Sequence, residues 1–219
     1  MNKSTDKKIP CPKCGHQQEF KLWTTIDTYS DPKMRDAVLS QSIFSYKCDE
    51  CGYAAPLNYP CVYNDPKNKR VFYVFPNYKD EQLQALDNEQ TQKMLDDGYV
   101  FRVVRSGNEL AEKIVIFDHD LDDRVVELCK LYMVRELKKQ RPDFTVMSAY
   151  YNYGKEGHLV VVFDEHGKGV TAPLPEDMYE QMKGSFAEYL EDYPFEEELV
   201  VDVKWAVEAL KASQPDNNK

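Results

Sequence analysis

The sequence predicts an α+β protein, and three observations carry the prediction. Two C-x-x-C-G motifs, Cys11-Pro12-Lys13-Cys14-Gly15 and Cys48-Asp49-Glu50-Cys51-Gly52, bracket a short helical stretch. Residues 77–142 repeat apolar side chains mostly at helical spacing. Beyond Pro142 the pattern turns to alternating, glycine-punctuated segments that read as a β-meander with helices after it. The 219 residues are 42% hydrophobic and include 15 Tyr and 10 Phe, enough material for a core, which excludes wholesale disorder. No apolar run approaches the ~18 residues of a membrane span. No apolar stretch follows the charged first ten residues, so a signal peptide is not expected and a cytoplasmic location is.

Six cysteines occur, and four of them make the two motifs. A two-residue spacer lets both thiolates of a pair point at one ion, and the following glycine admits the positive φ that turns backbone N–H groups toward the sulfurs. Two such pairs supply a closed tetrahedral shell that suits Zn²⁺ with bonds of about 2.3 Å. The candidate metal ligands are Cys11, Cys14, Cys48 and Cys51, and the expected cofactor is a structural Zn²⁺. Ligand type alone also suits an iron–sulfur centre. A redox dithiol belongs at a helix start within a βαβ pattern, a setting neither pair has. His16 is redundant once four thiolates close the shell, and Cys61 and Cys129 read as small buried hydrophobes.

The 33 residues between Cys14 and Cys48 exceed the spacing of compact zinc sites, so something folded fills the gap. Glu19 to Trp23 alternates polar and apolar, as a strand leaving the first motif. Asp31 as cap and Pro32 at the first helical position open a helix carrying Met34, Val38 and Leu39. Phe44, Tyr46 and Lys47 lead into the second motif as a strand, and Tyr53–Tyr63 and Val71–Phe75 flank the turn Asn64–Lys69. Residues 1–76 thus read as a zinc ribbon with a helical insertion.

At these residues the chain resembles the CpXC family, a bacterial and archaeal group. The resemblance rests on Cys11-Pro12-Lys13-Cys14-Gly15, the aromatic strand after it, Asp31-Pro32, the second cysteine pair, and then Leu57, Pro60, Tyr63 and Asp65. It extends through the acidic-then-basic helix near Leu121–Tyr132, covering about the first 130 residues. The second motif has Asp49 where the family name implies proline, which keeps the metal spacing and loses a residue that fixes φ. The resemblance implies a fold and a metal site, and no reaction.

The helical middle begins with residues 79–97, a helix ending at Gly98, followed by a strand over Val100–Val104. Ser106-Gly107-Asn108-Glu109 opens the next helix, and Asp118, Asp120, Asp122 and Asp123 cap another that ends in Lys138 and Lys139. Those acids also raise the possibility of a divalent-cation site, but their spacing fits no Ca²⁺ loop. In the C-terminal segment, residues 143–212, the strands are 144–151, 159–163 and 168–172. Leu174, Met178, Met182, Phe186 and Leu190 mark one amphipathic helix, and Leu199–Leu210 the last, with Asp202 as its cap. Residues 213–219 read as a disordered tail. Tyr150, Tyr151 and Tyr153 suit a stacking platform, and equally ordinary strand packing; His119, His158 and His166 read as ordinary surface or turn residues.

Charge divides the function classes. Residues 1–70 carry a net +3 and residues 71–219 a net −13, giving the overall −10. An acidic chain is a poor general binder of nucleic acid. The leading expectation is a non-catalytic, zinc-stabilised module with a protein partner. The alternative is nucleic-acid binding through the ribbon, with Lys13, Lys21, Lys47, Lys67, Lys69 and Arg70 as the patch. The third is an enzyme whose site assembles between the ribbon and the C-terminal domain; no catalytic residue is nominated, and the oligomeric state is not legible.

Overall fold

The computed structural model describes residues 1–213 and divides the chain into two compact units, Met1–Ala111 and Glu112 onward. Apart from Ser213, the expected tail therefore lies outside the described residues. The elements are those of an α+β protein, with eight α-helices and three sheets among the described residues.

The first unit contains β1 (Lys3–Pro10), β2 (Gln17–Asp27), α1 (Lys33–Leu39), β3 (Ser45–Lys47), β4 (Ala54–Pro56), β5 (Cys61–Asp65), β6 (Arg70–Val74), α2 (Asp80–Gln84), α3 (Glu89–Asp96), β7 (Val100–Val104) and the start of α4 (Gly107–Asp118). A five-stranded sheet runs in the order β1-β2-β5-β6-β7, with β2·β5 and β6·β7 parallel, while β3 and β4 make a separate hairpin. Alternation along the inner strands puts Ile26, Tyr63, Phe72 and Val74 on one fully buried face. The opposite face, with Thr25, Val62 and Tyr73, is half open and floors a cleft of about 540 Å³.

Local chemistry explains most boundaries. Asp31 accepts from the Lys33 amide at 3.0 Å, but α1 begins one residue later than expected, at Lys33, with Pro32 in the cap position. The single strand expected over 53–63 is two, β4 ending at Pro56 and β5 starting after Pro60, each in a different sheet. The helix expected over 79–97 likewise breaks in two. Asn88 turns its side chain onto the Gln90 and Thr91 amides at 3.1 and 3.0 Å, which starts α3 afresh. The helical middle also does not stand apart: its strand β7 pairs with β6 inside the first unit's sheet. At the head of α4, Gly107 sits so close to Phe44 that an added Cβ would come within 2.5 Å of the ring, so only glycine fits.

The second unit takes in the rest of α4, then α5 (Asp123–Gln140), β8 (Val146–Gly154), β9 (Gly157–Asp164), β10 (Gly169–Pro173), α6 (Glu176–Ser185), α7 (Ala187–Asp192) and α8 (Val203–Ala212). The three strands form the expected antiparallel meander, in the order β10-β9-β8. The amphipathic stretch 174–190 divides at Phe186 into α6 and α7. Asp122 caps α5, accepting from the Arg124 amide at 2.9 Å, and Asp202 caps α8 through the Lys204 and Trp205 amides. The Arg124 guanidinium closes the end of α7 by donating to the Leu190 and Tyr193 carbonyls. None of the helices among the described residues is long and apolar enough to cross a membrane.

Candidate metal centre

Two hairpins build the centre. The β1–β2 hairpin turns through Cys11–Cys14: the Gly15 amide donates to the Cys11 carbonyl at 2.8 Å, and the Cys11 amide to the His16 carbonyl at 2.8 Å. The β3–β4 hairpin repeats the arrangement, with Gly52 donating to Cys48 at 3.0 Å and Cys48 to Tyr53 at 2.8 Å. Gly15 and Gly52 have φ of +74° and +69°, so both turns need the conformational freedom of glycine. His16 contributes its backbone carbonyl to the turn and keeps its side chain exposed.

A glutamine that sequence reasoning missed joins the two turns. Gln18 on β2 donates to the Lys47 carbonyl at 2.8 Å and accepts from the Asp49 amide at 2.9 Å. The second bond gives Asp49 a physical role, since proline at that position has no N–H to donate. The departure from the C-P-x-C pattern is therefore part of the strap that holds the knuckles in register.

The four Sγ atoms lie within 4.8 Å of one another. Cys11–Cys51 and Cys14–Cys48 are 3.6 and 3.7 Å apart. All four are free thiols, and these separations are far beyond the about 2.05 Å of a disulfide. A tetrahedral ion with metal–sulfur bonds of about 2.3 Å holds its sulfurs about 3.8 Å apart. The spacing and the donor set fit such an ion. Among the described residues, no other cluster of three or more Cys, His, Asp or Glu side chains comes this close together.

Electrostatics points the same way. Burial opposes ionisation of Cys11, but the Cys14 and Lys13 amides together with the Cys48 and Cys51 thiols bring it down to about 6. The Cys51 amide lowers Cys48, again against burial. The His16 amide favours the Cys14 thiolate, yet local desolvation of its sulfur within the cluster and the three neighbouring sulfurs push it up to about 12. Four thiolates this close cannot all ionise unaided; a cation among them removes the conflict. Cys11 and Cys48 are buried with Tyr46, while Cys14 is exposed and Cys51 intermediate.

The other candidates are structural. Cys61 and Cys129 are 2% and 0% exposed, and burial pushes each thiol up to about 12, as expected of small core residues. Among the acids, Asp122 is a cap, and Asp123 lies 2.6 Å from the Lys113 ammonium with both side chains buried. Lys69 of the basic patch donates to the Asp97 carbonyl at the end of α3. Tyr151 and Tyr153 share one strand face and Tyr150 takes the other, so the three tyrosines do not form one platform.

Two histidines that look isolated in sequence meet in the second unit. Tyr151 Oη lies 2.5 Å from His158 Nδ1, and the His119 ring lies 3.9 Å from that of Tyr153. Burial, then the nearby His119, lowers the pKa of His158. His158 is therefore expected to stay neutral at pH 7 and to titrate below the usual value of about 6.5. Because its folded pKa is the lower one, its contribution to stability is present above that usual value and is lost as pH falls. Proton NMR of the imidazole checks this; a midpoint at or above the ordinary value overturns it.

Comparison with known proteins agrees with the cysteine geometry. No curated protein and no solved structure gives a significant match. The model of the CpXC protein family matches residues 9–130, more than half of the chain and all four clustered cysteines. The chain belongs to the CpXC family.

Proposed function

We propose that the chain is a zinc-binding protein whose four-cysteine ribbon is a structural staple, and that it works as a non-catalytic module docking a protein partner. The tetrahedral spacing of four sulfurs supports zinc, since four thiolates complete its preferred shell. Total metal analysis of purified chain tests this first, with about one zinc per chain expected.

One surface supports the partner. On the outer face of the meander, Leu159, Val161 and Phe163 form a half-exposed apolar row with Tyr150 beside it. Gly169 faces this row: a Cβ there would lie 3.2 Å from both Phe163 and Val161. With residues 71–219 at net −13, the complementary partner is a protein presenting an apolar strip between basic residues. The experiment is crosslinked capture at native levels with the natural chain and with Phe163→Glu. A partner with such a strip, lost in the variant at unchanged zinc content, supports the reading. Retention of the same partner by the variant, or no specific partner, overturns it. Salt-dependent retention on DNA or RNA would favour the ribbon patch instead.

A further inference from the structure

We propose that, once the metal is bound, the single Tyr46 hydroxyl proton is shared between the metal-ligating sulfurs of Cys11 and Cys48, making Tyr46 a positioning residue for the bound metal. The inference deepens the zinc reading above and rests on it. Tyr46 sits on β3, paired with Ala55 of β4, one position before the Lys47 carbonyl that Gln18 holds. It is 4% exposed and shares one cluster with Cys11 and Cys48, at 2% and 1%. Its ring packs 6.3 Å from that of Phe20, with Ile9, Tyr53 and Leu57 around the same cluster.

The hydroxyl is the anomaly. It is fully buried and has no hydrogen-bond partner among the described residues. A phenol has one proton to donate, and burying it unused forfeits its hydration, whereas phenylalanine would fill the same space at no such cost. The acceptors in its cluster are the two sulfurs, which become strong acceptors once ionised by a metal. A phenol keeps its proton at neutral pH, so the proton is there to be donated.

The asymmetry of the centre explains why one tyrosine suffices. Cys14 is exposed and Cys51 intermediate, so water can solvate their sulfurs; Cys11 and Cys48 are shut away from it. The buried pair needs a donor from the protein, and Tyr46 lies beside both. Outer-shell donors of this kind orient ligands and commonly change metal affinity by about 10–100-fold.

The test compares the full chain with Tyr46→Phe, loading each with Co²⁺ and then displacing it with Zn²⁺ against a chromogenic chelator. Without the hydrogen bond the sulfur lone pairs rise in energy. The sulfur-to-cobalt charge-transfer band is therefore expected at longer wavelength, and Zn²⁺ affinity about tenfold weaker. The metal-free variant should melt no lower than the natural chain, since only an unpaired hydroxyl has been removed. An unchanged band and affinity in a folded variant overturn the proposal. Failure of the natural chain itself to take up Co²⁺ or Zn²⁺ overturns the zinc reading and this one with it. Should the variant misfold, the natural chain loaded with ¹¹³Cd decides: scalar coupling between the metal and the Tyr46 hydroxyl proton supports the bond, and its absence overturns it.

Discussion

Replacing Cys48 by serine is expected to abolish stoichiometric metal binding and to lower the melting temperature of the first unit by about 10 °C or more. Cys48 is 1% exposed and its sulfur lies 3.7 Å from that of Cys14, so serine leaves a three-sulfur site with a short, weakly acidic alcohol in the fourth place. Structural zinc contributes about 10–16 kcal/mol of apparent binding free energy in zinc-finger peptides. Here the discount is large, because the five-stranded sheet supplies a core of its own with Ile26, Tyr63, Phe72 and Val74 fully buried. Even about 3 kcal/mol of loss moves the midpoint of a domain this size by more than 10 °C, at about 4–8 °C per kcal/mol for domains of 60–100 residues. A strong chelator should reproduce the shift in the natural chain. Cys61→Ser, a buried cysteine outside the centre, should leave metal content intact. An unchanged unfolding curve, with the metal verified absent, would falsify the structural role.

The second large effect belongs to the second unit, where α4 and α5 bury six charged side chains, five of them in one network. Lys130 lies 2.7 Å from Glu112 and 2.8 Å from Glu127, and Lys113 lies 2.6 Å from Asp123 and 3.8 Å from Glu127. The Tyr151 amide donates to Glu112 at 2.6 Å, and Lys113 donates to the Val201 carbonyl at 2.8 Å, so the network also ties β8 and the approach to α8. Removing one partner of a buried pair strands the others, at a cost of about 3–5 kcal/mol. Lys130→Met is expected to lose that much at neutral pH, because Glu112 and Glu127 then lose the ammonium they share and Glu127 keeps only Lys113, at 3.8 Å.

The loss should depend on pH. Three acids meet two lysines, and burial already raises the pKa of Glu127 despite the pull of Lys130. A carboxyl whose folded pKa is raised contributes stability that is present below its ordinary value, about 4.3, and lost as pH rises through the folded value. In Lys130→Met the raise is larger still. The deficit should therefore be small in mild acid and grow toward neutral pH, which urea titrations across that range would measure. A deficit that stays constant with pH would mean that the lysine acts through packing alone.

Much of the architecture was legible from local chemistry. The paired C-x-x-C-G motifs announced two glycine turns and one four-thiolate cluster, and the caps at Asp122 and Asp202 were readable because a short side chain before an apolar stripe has little else to do. β1 was not readable. Its sequence KSTDKKIP is almost wholly polar and exposed, and it is a strand because β2 supplies a ladder for it. The breaks inside 79–97 and 174–190 were also hidden, since apolar spacing runs on through the Asn88 cap and across Phe186, where no side-chain cap marks the restart.

The sequence by itself determined which four sulfurs meet, because ligand type, spacer and glycine are properties of a few adjacent residues. Only the tertiary structure decided what stands around them. Gln18, Asp49 and Tyr46 come from different strands and turns, and His119, in the turn after α4, meets His158 on β9, far along the chain. Such partners are chosen by chain closure and burial, which no local pattern encodes.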